Sequence, residues 1–125
     1  MIYVYNRRNE VHTKNDFYIG RGSVLGNPYS HIKDKKTKAI YEAKDRDDAI
    51  DKYDHYFDLM YGSNKAYTKA IDEIYEVYKS GEDVYLGCFC VPLRCHGHVI
   101  KEKLEKRLLK EKILEKLNKK NENTL

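Results

Sequence analysis

All three cysteines of the chain, Cys88, Cys90 and Cys95, and two of its five histidines, His96 and His98, fall in one stretch, LGCFCVPLRCHGHVI, from Leu86 to Ile100. Thiols and imidazoles this close together offer several chemistries. The spacing C-x-C-x4-C-H-x-H presents Cys88, Cys90, Cys95, His96 and His98 as an alternative zinc set. Structural zinc prefers two separated pairs of ligands, commonly at C-x2-C spacing, and no second pair occurs elsewhere. Cys88 and Cys90 would share one face of a strand, which suits an ion less well than a knuckle. A second reading is a strand-to-helix turn. PLRCHG followed by a long helical pattern would present unpaired N–H groups and a helix dipole to an anion, with Gly97 allowing close approach and Arg94 adding charge-assisted bonds. A helix start would also lower the pKa of Cys95, with His96 beside it as a base. A well-packed turn with buried cysteines accounts for the same residues.

A second loop, IGRGSVLGNP from Ile19 to Pro28, also leads from apolar residues into glycines. Gly20, Gly22 and Gly26 free the backbone to wrap a ligand, and Arg21, Ser23 and Asn27 supply donors. The spacing matches neither the Walker pattern nor the dinucleotide fingerprint. Its weight comes from lying in the same small domain as the cysteine turn.

The elements that position these loops follow from periodicity. IYVYN (Ile2 to Asn6) and FYIGR (Phe17 to Arg21) read as strands, and DVYLGCFC as a buried strand. Ala49, Ile50, Tyr53, Tyr56, Phe57 and Met60 recur at three- and four-residue steps, predicting a helix from Arg46 that stops at Gly62. A second helix is predicted from about Lys65 to Lys79, stopped by Gly81. A long helix begins near Gly97 or His98, with one apolar row at Ile100, Leu104 and Leu108 and another at Leu109, Ile113 and Leu117. The polar stretch HIKDKKTKAIYEAKD reads as an exposed excursion. This order implies an α/β domain with a short, mainly parallel sheet and helices packed on it. Residues 1–100 form the ligand-binding domain, 101–118 a helical extension and 119–125 a fraying tail.

The 125 residues suffice for one core. The net charge of +4 gives little support for a nucleic-acid groove, because the excess lies in a terminal helix where lysines alternate with glutamates. No stretch resembles a signal peptide or a membrane span, which predicts a cytoplasmic chain with reduced cysteines and no membrane partner. An exposed remainder of the terminal helix would favour a homo-oligomer.

The blocks YIGRGSVLGNP, RDDAIDKY and LGCFCVPLRCHGHVI, in that order, resemble the phage and bacterial family numbered 4326 among the domains of unknown function, over roughly Tyr18 to Ile100. The resemblance implies site residues at Gly20, Arg21, Gly26, Asn27, Pro28, Arg46, Cys88, Cys90, Pro92, Cys95, His96 and Gly97. It also implies a fold similar to small, three-layer Rossmann-like nucleotide-binding domains of the SLOG type. The sequence departs from the pattern at His98, where the family often carries an acidic residue. Arg46 at a helix start is unusual, since the dipole there disfavours a cation; Asp45, Asp47 or a ligand phosphate would balance it.

Three functions are compatible with these residues. The first is binding of a phosphorylated, nucleotide-derived small molecule between the GRGSVLGNP and PLRCHG loops, as a sensor or sequestering protein needing no cofactor. The second is a nucleotide hydrolase or N-glycosidic transferase with Cys95 and His96 as catalytic groups. The absence of a carboxylate in either block weighs against catalysis, although Glu42, Asp45 or Asp47 could fold into the cleft. The third is a zinc-stabilised interaction module.

Overall fold

In the computed structural model, residues 1–30 and 41–123 are described. Part of the predicted excursion, residues 31–40, lies outside them. Three strands, β1 (Ile2–Asn6), β2 (Asp16–Tyr18) and β5 (Val84–Cys88), form a parallel sheet in the order β1-β5-β2. Two short strands, β3 (Tyr29–Ser30) and β4 (Tyr41–Glu42), pair in parallel beside it. Helices α1 (Arg46–Met60), α2 (Lys65–Lys79) and α3 (His96–Asn123) complete an α/β domain.

The alternation of side chains across a strand divides the sheet. Ile2, Phe17, Val84, Leu86 and Cys88 join one continuous core with Ile50, Phe57, Ile71, Ile74, Ile100 and Leu104 from the helices. On the opposite face the covering layer is the segment 7–15, which carries the chain from β1 to β2. His12 stacks on Tyr85 with ring centroids 3.8 Å apart, Tyr5 hydrogen-bonds Asp16, and the Arg7 guanidinium lies 4.7 Å from the centre of the Tyr18 ring.

The predicted helices α1 and α2 form because their apolar positions share one face and their first turns are capped. Asp45 accepts from the Asp48 N–H at 2.8 Å, and Asn64 from the Tyr67 N–H at 3.0 Å. Two strand ends fall short of expectation. Strand β2 stops at Tyr18, because Ile19 makes one last bond to the Gly87 carbonyl and the chain then turns, the Ser23 N–H closing on the Gly20 carbonyl. Strand β5 stops at Cys88, and Leu93 N–H closes a turn on the Cys90 carbonyl. Helix α3 starts at His96, earlier than predicted, because Cys95 caps it. Val99, Ile100 and Leu104 are buried, whereas Leu109, Ile113 and Leu117 are half or more exposed. The Arg107 guanidinium, over the Tyr75 ring and bonded to Tyr61, Asp72 and Glu111, ties α3 to α1 and α2 just before its apolar row turns outward.

Two tyrosines join the helices to the glycine loop. The fully buried Tyr53 hydroxyl donates to the Leu25 carbonyl at 2.8 Å, and the Tyr67 hydroxyl lies 2.8 Å from it. Tyr53→Phe strands a buried carbonyl and the Tyr67 hydroxyl, so urea unfolding should show a loss of about 2–3 kcal/mol. Tyr67→Phe leaves the Leu25 carbonyl bonded and should cost less, about 1 kcal/mol. The reverse order would mean that Tyr67, not Tyr53, satisfies the loop.

Candidate functional site: a basic cleft at the carboxyl edge of the sheet

Because all three sheet strands run in parallel, their carboxyl ends share one edge. The loops leaving β2 and β5 meet there and enclose, with the first turns of α1, a cleft of about 230 Å³. The three sequence blocks thus converge on one site. A larger depression of about 830 Å³ crosses α2 between Phe17, Lys65 and Val77, away from all three blocks.

Gly20, Arg21, Asn27, Arg46, Cys88, Cys90, Arg94, Cys95 and His96 line the cleft. The other predicted residues serve the loops instead. Gly22 takes a φ of +93°, which a side chain would strain, and the Ser23 hydroxyl donates to the Gly20 carbonyl. Gly26 sits against the Gly20 carbonyl and the Arg21 backbone. Pro28 is buried and Pro92, after a cis peptide bond, is exposed. Gly97 is buried against Ile19 and Val4, so its missing side chain serves helix–sheet packing, not approach to a ligand. Asn27 lines the wall, yet its amide donates to the Ala49 carbonyl and accepts from the Tyr29 N–H, fixing the loop to α1.

The start of α3 is a closed cap. Cys95 Sγ accepts from the Gly97 N–H at 3.4 Å, the Cys95 carbonyl accepts from the His98 N–H at 3.0 Å, and His98 Nδ1 accepts from the Cys95 N–H at 3.0 Å. This is a reciprocal capping box built from cysteine and histidine. The Cys95, Gly97 and His98 N–H groups, expected to await an anion at this helix start, are therefore already used.

His96 is nearly buried, 4.8 Å from the Tyr53 ring centre, with Nε2 2.5 Å from the Ile19 carbonyl and Nδ1 3.6 Å from Cys95 Sγ. A carbonyl can only accept, so Nε2 carries the hydrogen and Nδ1 a free lone pair. Burial lowers its pKa to about 4, outweighing the bond to Ile19. The imidazole is neutral at neutral pH.

The cations divide into two kinds. Arg94 is held by Asp47 at 3.0 Å and Asp51 at 3.1 Å, so α1 already balances its charge. Among the described residues, Arg21 bonds only backbone carbonyls, of Tyr29 at 3.0 Å and Asn27 at 3.4 Å. Asp45 caps α1 and Asp47 holds Arg94, so neither expected carboxylate reaches Arg46, whose charge instead favours an ionised Cys90 in the same cleft. Among the described residues, Arg21 and Arg46 have no carboxylate partner.

The neighbouring Cys88 and Cys95 thiols, and then Arg46, pull the Cys90 pKa down despite its part burial. Cys95 is driven the other way by Cys88 and Cys90 and by burial, and stays protonated. Of the three thiols, Cys90 is the one whose ionised form its surroundings favour. For the zinc alternative, Cys88 Sγ faces the Tyr5 carbonyl and the imidazole nitrogens face Ile19 and Cys95. No group of three or more His, Cys, Asp or Glu side chains among the described residues is arranged to hold a metal ion.

Sequence reasoning missed the aromatic rim. Tyr18, Tyr29 and Phe89 line the cleft, and Phe89 is 48% exposed with the Arg8 guanidinium 5.5 Å from its ring centre. Alternation along β5 would have turned Phe89 away from Cys88 and Cys90.

Fold and site together define a small α/β domain with a basic, aromatic-rimmed cleft at the carboxyl edge of a parallel sheet. The family model described as Domain of unknown function (DUF4326) matches residues 2–106, and the chain belongs to that family. No curated protein and no solved structure matches the chain. Among the described residues, no helix is long and apolar enough to cross a membrane.

The His96 shift fixes a pH dependence. The unfolded imidazole titrates near 6.5 and the folded one near 4, so the unfolded chain binds a proton first. Stability from this group is complete above pH 6.5 and is lost as pH falls toward 4, by roughly 3 kcal/mol. In urea unfolding at pH 7 and pH 4, His96→Gln should lose about 3 kcal/mol less than wild type between the two. Equal losses would mean that His96 is protonated in the fold.

Proposed function

We propose that this domain binds a phosphorylated, nucleotide-derived small molecule in the cleft between the GRGSVLGNP and PLRCHG loops, as a sensor or sequestering protein. The observation that carries the reading is the pair Arg21 and Arg46, two guanidinium groups lining one cleft without a carboxylate partner among the described residues. Guanidinium forks match phosphate oxygens in geometry and charge. The cation at the start of α1, unfavourable for the helix itself, gains a purpose if an anion lies over it.

Size and lining support the rest. Drug-sized ligands fill about 300–1,000 Å³, so a cleft of about 230 Å³ suits a sugar phosphate with the base outside. The exposed Phe89 and neighbouring Tyr18 offer that base a stacking surface. Ligands of open parallel sheets lie outside the carboxyl ends of the strands, which is the basis for likening the domain to Rossmann-like folds of the SLOG type. His96, neutral, carbonyl-bonded and weakly basic, is poorly disposed to activate Cys95 toward a nucleotide, which favours binding over turnover.

Native mass spectrometry of gently purified protein, before and after denaturation, should release a nucleotide-like phosphorylated compound. Titration of that compound, or of ADP if none is retained, should be weakened roughly tenfold to a hundredfold by Arg46→Ala, the loss of a charge-assisted bond. Arg94→Ala should change affinity less than about threefold, because its charge is already balanced. Equal affinity of wild type and Arg46→Ala would overturn the anion cleft.

A further inference from the structure

Three thiols meet at the floor of the cleft, and they are not equivalent. Cys88 and Cys95 are each 1% exposed, whereas Cys90 is half-buried and opens into the cleft. Cys90 shares the lining of this small cleft with both other thiols and with Arg46, and these groups favour its ionised form. Arg46 stabilises a negative sulfur and the cleft admits a small oxidant. Cys95 lies beside Cys90 at the cap of α3, with the free lone pair of His96 Nδ1 3.6 Å from its sulfur.

We propose that Cys90 is a peroxide-reactive thiol resolved by Cys95, forming an intramolecular Cys90–Cys95 disulfide at the floor of the cleft. The co-reactant is a hydroperoxide. The Cys90 thiolate attacks the terminal peroxide oxygen and the O–O bond breaks. Alkoxide or hydroxide leaves and takes a proton from solvent, while the sulfur is oxidised to sulfenic acid. Cys95 then attacks that sulfur and gives up its proton. The S–O bond breaks, and the departing hydroxide leaves as water with that proton. One peroxide is reduced by two electrons and two thiols are oxidised.

Geometry selects Cys95 over Cys88 as the resolving thiol. Cys88 Sγ is turned to the Tyr5 carbonyl at 3.5 Å beneath the sheet. A bridge between residues two apart at a strand end would also be strained. Cys95, five residues on and across a turn, is free of that constraint.

Peptide mapping of the full chain tests this independently of any nucleotide. Arg94 separates the tryptic peptide holding Cys88 and Cys90 from the one holding Cys95, so only a bridge to Cys95 joins the two. Wild-type protein treated with equimolar hydrogen peroxide should give that joined pair, reversed by a reducing thiol. The pair should persist in Cys88→Ser and vanish in Cys90→Ser. In Cys95→Ser, a sulfenic acid should accumulate on Cys90 and be trapped by dimedone. A bridge confined to Cys88 and Cys90, a bridge between two chains, or oxidation of wild-type Cys90 without a bridge would each overturn the proposal, as would no reaction at all. Because the wild-type map needs no substitution, a variant that fails to fold does not obscure the answer.

Discussion

The bond from His96 Nε2 to the Ile19 carbonyl holds the site together. It runs from the first residue of α3 to the end of β2, spanning the two loops that form the cleft. The bond alone would favour a protonated ring, but burial in the surrounding core, with Tyr53 beside it, keeps the imidazole neutral. The same protonation leaves Nδ1 facing Cys95. One side chain therefore sets the separation of the glycine loop from the cysteine turn and the environment of a thiol.

Around this join, the chain spends its polar groups unequally. Asn27, Ser23 and the backbone of Cys95 are satisfied within the loops, and Arg94 is clamped to α1. These interactions make the walls rigid. What is left without a carboxylate partner among the described residues is Arg21 and Arg46, the latter sharing the cleft with the Cys90 sulfur. Rigid walls and a few uncommitted charges are the arrangement that binds an anion without reorganisation.

Much of this was legible in the sequence, for reasons that also mark the limit. Helices α1 and α2 declared themselves because a one-sided core enforces a strict three- and four-residue repeat, and their caps and stop glycines are local signals. The carboxyl-edge location of the two loops followed from strands that lead directly into them. Strand β2 was read too long because FYIGR has strand-like residues throughout, while its end is set by a bond to Gly87, almost seventy residues away. Arg94 could not be separated from Arg46 by sequence, since the difference is that Asp47 and Asp51 come within reach of Arg94 only in the fold. Gly97 was given to the ligand because glycine reads alike in a phosphate loop and in a tight packing contact. The aromatic rim was hidden among twelve tyrosines whose rings serve core and surface alike.

The contact at Gly97 has a geometric corollary. A methyl group placed there would come within 2.6 Å of Ile19 Cδ1 and 3.0 Å of Val4 Cγ1. Either the Ile19 side chain would have to swing aside or the start of α3 would lift from the sheet, carrying Cys95 and His96 with it. The depth of the cleft is thus gauged from below, by an absent side chain on its dry side. Its dimensions belong to the core as much as to the residues a ligand would touch.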